Sequence, residues 1–183
     1  MQKFKALALC FIALAVVLPG FPVHGQEIIP FAGGGIALGT GDLSTDTDQG
    51  WFALGGIDIP LPTLLAREAS LRAGISHARI PFDNEFGDEM AVTSVSGELS
   101  YHFGRPNRLV QPYLRGGASL NVHEYDPGDL GGAKTTDARA GVVAGAGMNI
   151  MFGPTDLVLG AHFTSGTDAG YVGFHGGLAL PLR

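Results

Sequence analysis

The chain has 183 residues, a formal charge of −6, one cysteine, 29 glycines and 45% hydrophobic residues. That acidic balance excludes nucleic acid as a partner, and one cysteine cannot supply a disulfide within the chain or a thiolate metal site. Glycine interleaved with Val, Leu, Ile and aromatics fits a tightly packed sheet rather than a disordered chain, and the length fits one domain.

Lys3 and Lys5 open the chain, the apolar run Ala6 to Leu18 follows, and Pro19, Gly20, Pro22 and Gly25 close the segment. This is the order of a secretory signal peptide. The run is too short to span a bilayer as a helix, so residues 1–25 are expected to be cleaved and residues 26–183 to form the domain. Cys10 has a lipoprotein-like neighbourhood in Leu7-Ala8-Leu9, but too few residues precede it for an export segment. Cleavage would remove the two lysines and the cysteine, leaving a charge of about −8 by the same count.

Period-two alternation and turn residues predict eight strands, over residues 27–38, 51–60, 67–79, 91–103, 109–123, 137–152, 156–164 and 171–182. An even number of segments this long suits an up-and-down barrel whose tilted strands cross a membrane. The connections support the same reading. Residues 39–50, 80–90 and 124–136 are long and acidic, whereas 61–66, 104–108 and 153–155 are short. Alternate long and short connections place the long ones on one rim, as outer-membrane barrels do. The last outer connection, Ser165 to Gly170, is shorter and fits less well.

Alternation alone does not say which face is wet, because a soluble lipid-binding barrel of the periplasm would alternate in the same way. The deciding feature is what accompanies the polar residues. In the fifth strand Gln111, Arg115, Ser119, Asn121 and His123 share one face, and Leu114, Ala118, Leu120 and Val122 share the other. The polar parity also carries Gly117, Gly141, Gly145, Gly147 and Gly160, and the strands contain almost no lysine. Glycine beside arginine implies crowding, which an eight-stranded lumen imposes and open water does not. The polar face is therefore expected inside and the Leu/Val/Ile/Ala face outside. Arg115 then needs a partner, since an unpaired buried charge is costly. Glu98, on the preceding strand with inward parity, is the best candidate. Asp58, Glu68, Arg72 and Arg139 are expected to extend the network, with Asn121 and Asn149 as further lumen hydrogen-bonders.

Aromatics gather near strand ends: Trp51, Phe82, Tyr125, Phe163 and Tyr171 by the long connections, Tyr101, Phe103 and Phe152 by the short ones. They read as two interfacial girdles. With Tyr101-His-Phe-Gly before a short turn, Gln111-Pro-Tyr-Leu-Arg-Gly-Gly-Ala-Ser-Leu, Gly141-Val-Val-Ala-Gly-Ala-Gly-Met-Asn, and a last strand from Tyr171 to Leu182, the sequence resembles the OmpA-like and OmpX-like small outer-membrane β-barrels. The resemblance implies an all-β, eight-stranded, antiparallel transmembrane barrel in the outer membrane of a Gram-negative-type bacterium. The expected role is structural or surface-interacting rather than bulk transport, as a monomer among outer-membrane lipid and lipopolysaccharide, with a surface partner met through the acidic loops and any continuous pore closed by Arg115, Glu98 and their neighbours. One feature departs from the family: the chain ends Leu180-Pro-Leu-Arg183 where such barrels often finish on an aromatic residue. A cell-wall tether of the longer OmpA type is not expected.

Catalytic and metal chemistry is expected to be absent, and no cofactor is called for. His77, His102, His123, His162 and His175 form no ligand spacing. Asp42, Asp46, Asp48 and Gly50 echo a calcium loop but lack its later bidentate glutamate. The enzymatic alternative is a lipid A deacylase-like hydrolase built on His162-Phe-Thr-Ser165. Ser165 lies on the opposite parity from His162, Thr164 lies on the same one, and only Asp168 follows as an acid, so no orienting carboxylate is evident.

Overall fold

Strand formation follows from the alternation of β-branched and aromatic residues with small ones between breakers rich in Gly, Pro and Asp. The computed structural model describes residues 28–41, 47–61, 69–83, 87–103, 109–128, 133–165 and 169–180. These form β1 (Ile29–Gly41), β2 (Gly50–Pro60), β3 (Ala69–Pro81), β4 (Glu89–His102), β5 (Val110–Asp126), β6 (Thr135–Phe152), β7 (Thr155–Ser165) and β8 (Ala169–Ala179). Every sequence-predicted strand is present, most of them shifted by two or three residues at an end. The leader segment and residues 181–183 lie outside the described residues.

The strands close in sequence order, each antiparallel to its neighbour, and β1 completes the ring by pairing with β8 from Phe31↔Ala179 to Gly41↔Ala169. Closure leaves no free edge around the wall. The last described residue keeps the seam, with Leu180 N–H donating to the Pro30 carbonyl at 2.9 Å. Between β6 and β7 the chain reverses over Gly153-Pro154, where Gly153 takes φ 67°, a conformation that disfavours any residue with a Cβ. Thr155 Oγ1 donates to the Phe152 carbonyl at 3.1 Å and steadies this turn. The long connections join β1 to β2, β3 to β4 and β5 to β6 on one rim, called here the outer rim.

The outward parity is a belt of bare hydrocarbon. Ile75, Leu99, Leu114, Val142, Phe174 and Leu178 are 42–57% exposed and come from five different strands. A barrel bathed in water does not leave such a surface around its wall. The charged and hydroxylated side chains are inside: Asp58, Arg72, Glu98, Arg115, Ser100 and Asn121 each retain 7% or less of their accessible surface.

Glycine makes that interior possible. A Cβ built on Gly173 would lie 2.6 Å from Phe52 Cζ, one on Gly147 2.7 Å from the Tyr113 hydroxyl, and one on Gly56 2.9 Å from Phe31 Cζ. Each of these bulky lumen groups thus lies over a glycine, and the space it needs is space a side chain would otherwise occupy.

Two expectations are corrected. Phe82, Tyr125 and Tyr171 do not belong to an outward aromatic girdle: Phe82 packs on the lumen cluster and meets Tyr125 edge to face at 5.6 Å, and Tyr171 is fully buried. Their parity is that of Ile80, His123 and His175, which point inward. The lumen is also not polar throughout. Its outer half holds an apolar cluster of Ala37, Phe52, Ala78, Ile80, Met90, Val92 and Tyr171. Trp51 at one end, and Tyr101, Phe103 and Phe152 at the other, do face outward.

Candidate functional site

The interior is built on cross-strand rows. Asp58, Arg72 and Glu98 are direct register partners on β2, β3 and β4, and Gly117 continues the row on β5. Consecutive inward positions therefore carry alternating charge. Arg72 Nε donates to Asp58 Oδ1 at 2.9 Å, and its second nitrogen pairs with Asp58 Oδ2, making the forked contact that a guanidinium offers a carboxylate. The same guanidinium lies 4.1 Å from the centre of the Phe31 ring. Arg115 Nε forms an ion pair with Glu98 Oε2 at 3.2 Å, and Ser96 Oγ donates to Glu98 Oε1 at 2.8 Å. Two acids and two bases cancel, as a buried charged layer must.

Arg115 also reaches past its neighbouring strand. Gly145 on β6 is the register partner of both Arg115 and His162, and a Cβ there would collide with the arginine. With no side chain in the way, Arg115 Nη2 meets His162 Nδ1 on β7 at 3.0 Å. An arginine only donates, so Nδ1 must accept and the ring proton must sit on Nε2. That nitrogen lies 2.7 Å from Thr164 Oγ1; Thr164 is the register partner of Tyr171 on β8, and the Tyr171 hydroxyl meets Ser76 Oγ at 3.0 Å. The chain of contacts runs from β5 through β7 and β8 to β3. The final link crosses the lumen, because β8 and β3 share no ladder.

Between these contacts is a cavity of about 10 Å³ lined by Phe31, Ser76, Ser96, Glu98, Arg115 and His162, room for about one water molecule. Above it lies the apolar cluster, and below it Phe31, Tyr113, Val158 and Ala179 pack together. Described side chains thus pack across the lumen at three levels.

Of the sequence-predicted residues, the described ones separate into three groups. Asp58, Arg72, Glu98 and Arg115 come together as the charged layer. Asn121 and Asn149 face the same interior at different heights: Asn121 Nδ2 donates to the Ser165 carbonyl at 3.2 Å, and Asn149 Nδ2 contacts His102 Nε2 at 3.3 Å near the inner turns. Arg139 is not in the layer. It contacts Asp137 at 2.5 Å in a partly exposed pair, because β6 runs past the end of β7, whose ladder begins only at Val142↔Ser165. Glu68 lies outside the described residues. The residues missed from the sequence are His162, Thr164, Tyr171 and Ser76 acting as one chain of contacts. All four have inward parity, but no spacing shows that Gly145 leaves the way open.

No protein-family model and no curated protein sequence matches the chain. Solved structures do match. Neisserial surface protein A aligns with a TM-score of 0.65 at 17% identity, covering 85% of this chain and 97% of that one. Ail, the attachment invasion locus protein of Yersinia pestis, aligns at 0.55 and 13% identity with the same coverage, and at 0.54 in its complex with the heparin analogue sucrose octasulfate. The fold is that of the small eight-stranded outer-membrane β-barrels.

In this barrel the pairing of His162 with Thr164 does not make a nucleophile. A general base must hold its lone pair toward the hydroxyl and have an acid behind it. Here Arg115 stands where the acid would, so Nε2 offers Thr164 a proton instead of accepting one. Ser165 has outward parity. Among the described residues no three His, Cys, Asp or Glu side chains converge as a metal site.

Proposed function

We propose that the chain is an outer-membrane barrel, exported by a cleaved leader of residues 1–25, that works at the cell surface through its outer rim rather than by conduction or catalysis. The observation that supports this reading is the packed interior inside an apolar wall: among the described residues charge is cancelled within, hydrocarbon is presented without, and the cavity beside the charged layer has room for about one water. The outer rim is what is left to meet a partner. It carries Asp48, Asp83, Glu89, Glu124 and Asp126, with Arg79 and Lys134 as counterions. The barrel acts as a monomer.

Two measurements test the proposal. The protein is expected in the detergent-extracted outer-membrane fraction, migrating faster unheated than boiled in gel electrophoresis, and in planar bilayers it is expected to give no porin-sized conductance steps. Monodisperse behaviour in detergent-free buffer, or large steady channels, would overturn it.

A further inference from the structure

The outward wall of a membrane barrel should be hydrocarbon at every height the acyl chains reach, and at the outer end β1, β6, β7 and β8 obey: Ile36, Leu38, Val142, Phe163 and Val172 face out there. The wall over β2, β3 and β4 does not. Trp51 and Arg79 are register partners, each about half exposed. His77 lies two residues below Arg79 with the same parity. Its ring stands 5.8 Å from that of Trp51 at 56°, and its Nδ1 meets Thr93 Oγ1 at 2.9 Å. Arg79 Nη1 pairs with Glu89 Oε1 at 3.1 Å. Small residues flank the group, Ala53 opposite His77 and Ala91 opposite Arg79.

We propose that this patch binds the phosphorylated sugar headgroup of an outer-leaflet glycolipid. The inference rests on the outer-membrane reading and adds a ligand and a place to it. An exposed indole offers a flat apolar face on which a pyranose ring stacks, and it costs little conformational entropy to hold. A guanidinium has five donors, and one carboxylate contact leaves most of them to grip a phosphate as a fork. Glu89, Thr93 and His77 supply the acceptors and donors that sugar hydroxyls and amides need. The height also fits, since Arg79 lies two residues from the outer end of β3, where acyl chains give way to headgroups. Below the patch the wall continues as Ile75 and Val95 and then dips to Ala73 and Gly97, which are register partners; a Cβ on Gly97 would meet nothing within 4 Å. That shallow trough accepts an acyl chain running down from the headgroup. A wall site is reached sideways through the leaflet, so its occupant is a lipid and not a soluble partner. An interfacial tryptophan alone would need none of the four polar neighbours.

Trp51 is the only tryptophan of the chain, so its emission reports on this patch alone. The experiment titrates lipid A into the folded protein in zwitterionic micelles, with folding checked by heat-dependent gel migration, and repeats the titration with phosphatidylglycerol matched for charge. Lipid A is expected to change the emission saturably, and phosphatidylglycerol is not. Arg79→Gln and His77→Ala are each expected to raise the midpoint about fivefold to tenfold, the loss of one charge-assisted or aromatic contact, whereas Leu114→Ala on another part of the wall leaves it unchanged. No saturable response from protein that passes the gel check, equal responses to the two lipids, or midpoints unmoved in both patch variants would overturn the proposal. Failure of the gel check itself would instead count against the membrane reading.

Discussion

Glu98→Gln removes one charge from the buried layer while keeping its volume. Asp58 and Glu98 balance Arg72 and Arg115 in the native lumen, so the variant leaves one positive charge without compensation among side chains of residues that are 7% exposed or less. Breaking a buried pair from one side costs about 3–5 kcal/mol. The substituted amide can still accept from Ser96, and Arg115 keeps His162, so the lower end of that range, about 3 kcal/mol, is expected. Urea unfolding in micelles, followed by the loss of the fast-migrating band, reads the change. The double variant Glu98→Gln/Arg115→Met restores neutrality and is expected to lose less than the two single changes added together, by roughly 1–3 kcal/mol of coupling. A loss below about 1 kcal/mol in Glu98→Gln, or strict additivity in the double variant, would refute the claim that these two groups compensate each other.

Overpacking is expected at Gly173, where valine would press on the Phe52 ring; about 1–3 kcal/mol of stability should be lost in the same urea assay, and Gly97→Val on the open outer wall should lose far less. Tyr171→Phe keeps the ring contacts with Phe52 but deletes the bridge to Ser76, for a cost of about 1 kcal/mol. Nitrogen-15 NMR of His162 is expected to find the proton on Nε2, and a proton on Nδ1 would contradict the Arg115 contact. At the outer rim the Lys134 ammonium holds the Asp126 carboxyl below the ordinary carboxylate range. This pairing favours the folded hairpin above the unfolded carboxylate pKa and fades as pH falls through the lowered one. Lys134→Ala should bring the Asp126 titration, followed by carboxyl NMR, back up toward the ordinary range.

Strand number and facing were legible because membrane strands repeat with a period of two and their glycines mark the crowded side. Inward parity placed Asp58, Arg72, Glu98 and Arg115 on the lumen face, and adjacency of consecutive strands pointed Arg115 toward Glu98. Two things were not legible. Height along the axis depends on register, which no single strand encodes; hence Arg139 reads as a lumen charge although β6 carries it beyond the end of β7. Hydropathy cannot distinguish a lipid-facing apolar residue from one packed in the lumen, so Phe52, Ile80, Met90 and Val92 leave no mark of the apolar cluster they form. Tyr171 was readable by its parity with His175, but proximity to a strand end was the stronger cue and the misleading one.

The vacancy at Gly145 has a mechanical consequence. Arg115 ties β5 to β7, and Tyr171 ties β8 to β3, so strands without a common ladder are braced from within. A tube held only by its hoop of backbone bonds can be squeezed oval at little cost. Struts of this kind keep the cross-section round when the surrounding leaflet presses unevenly.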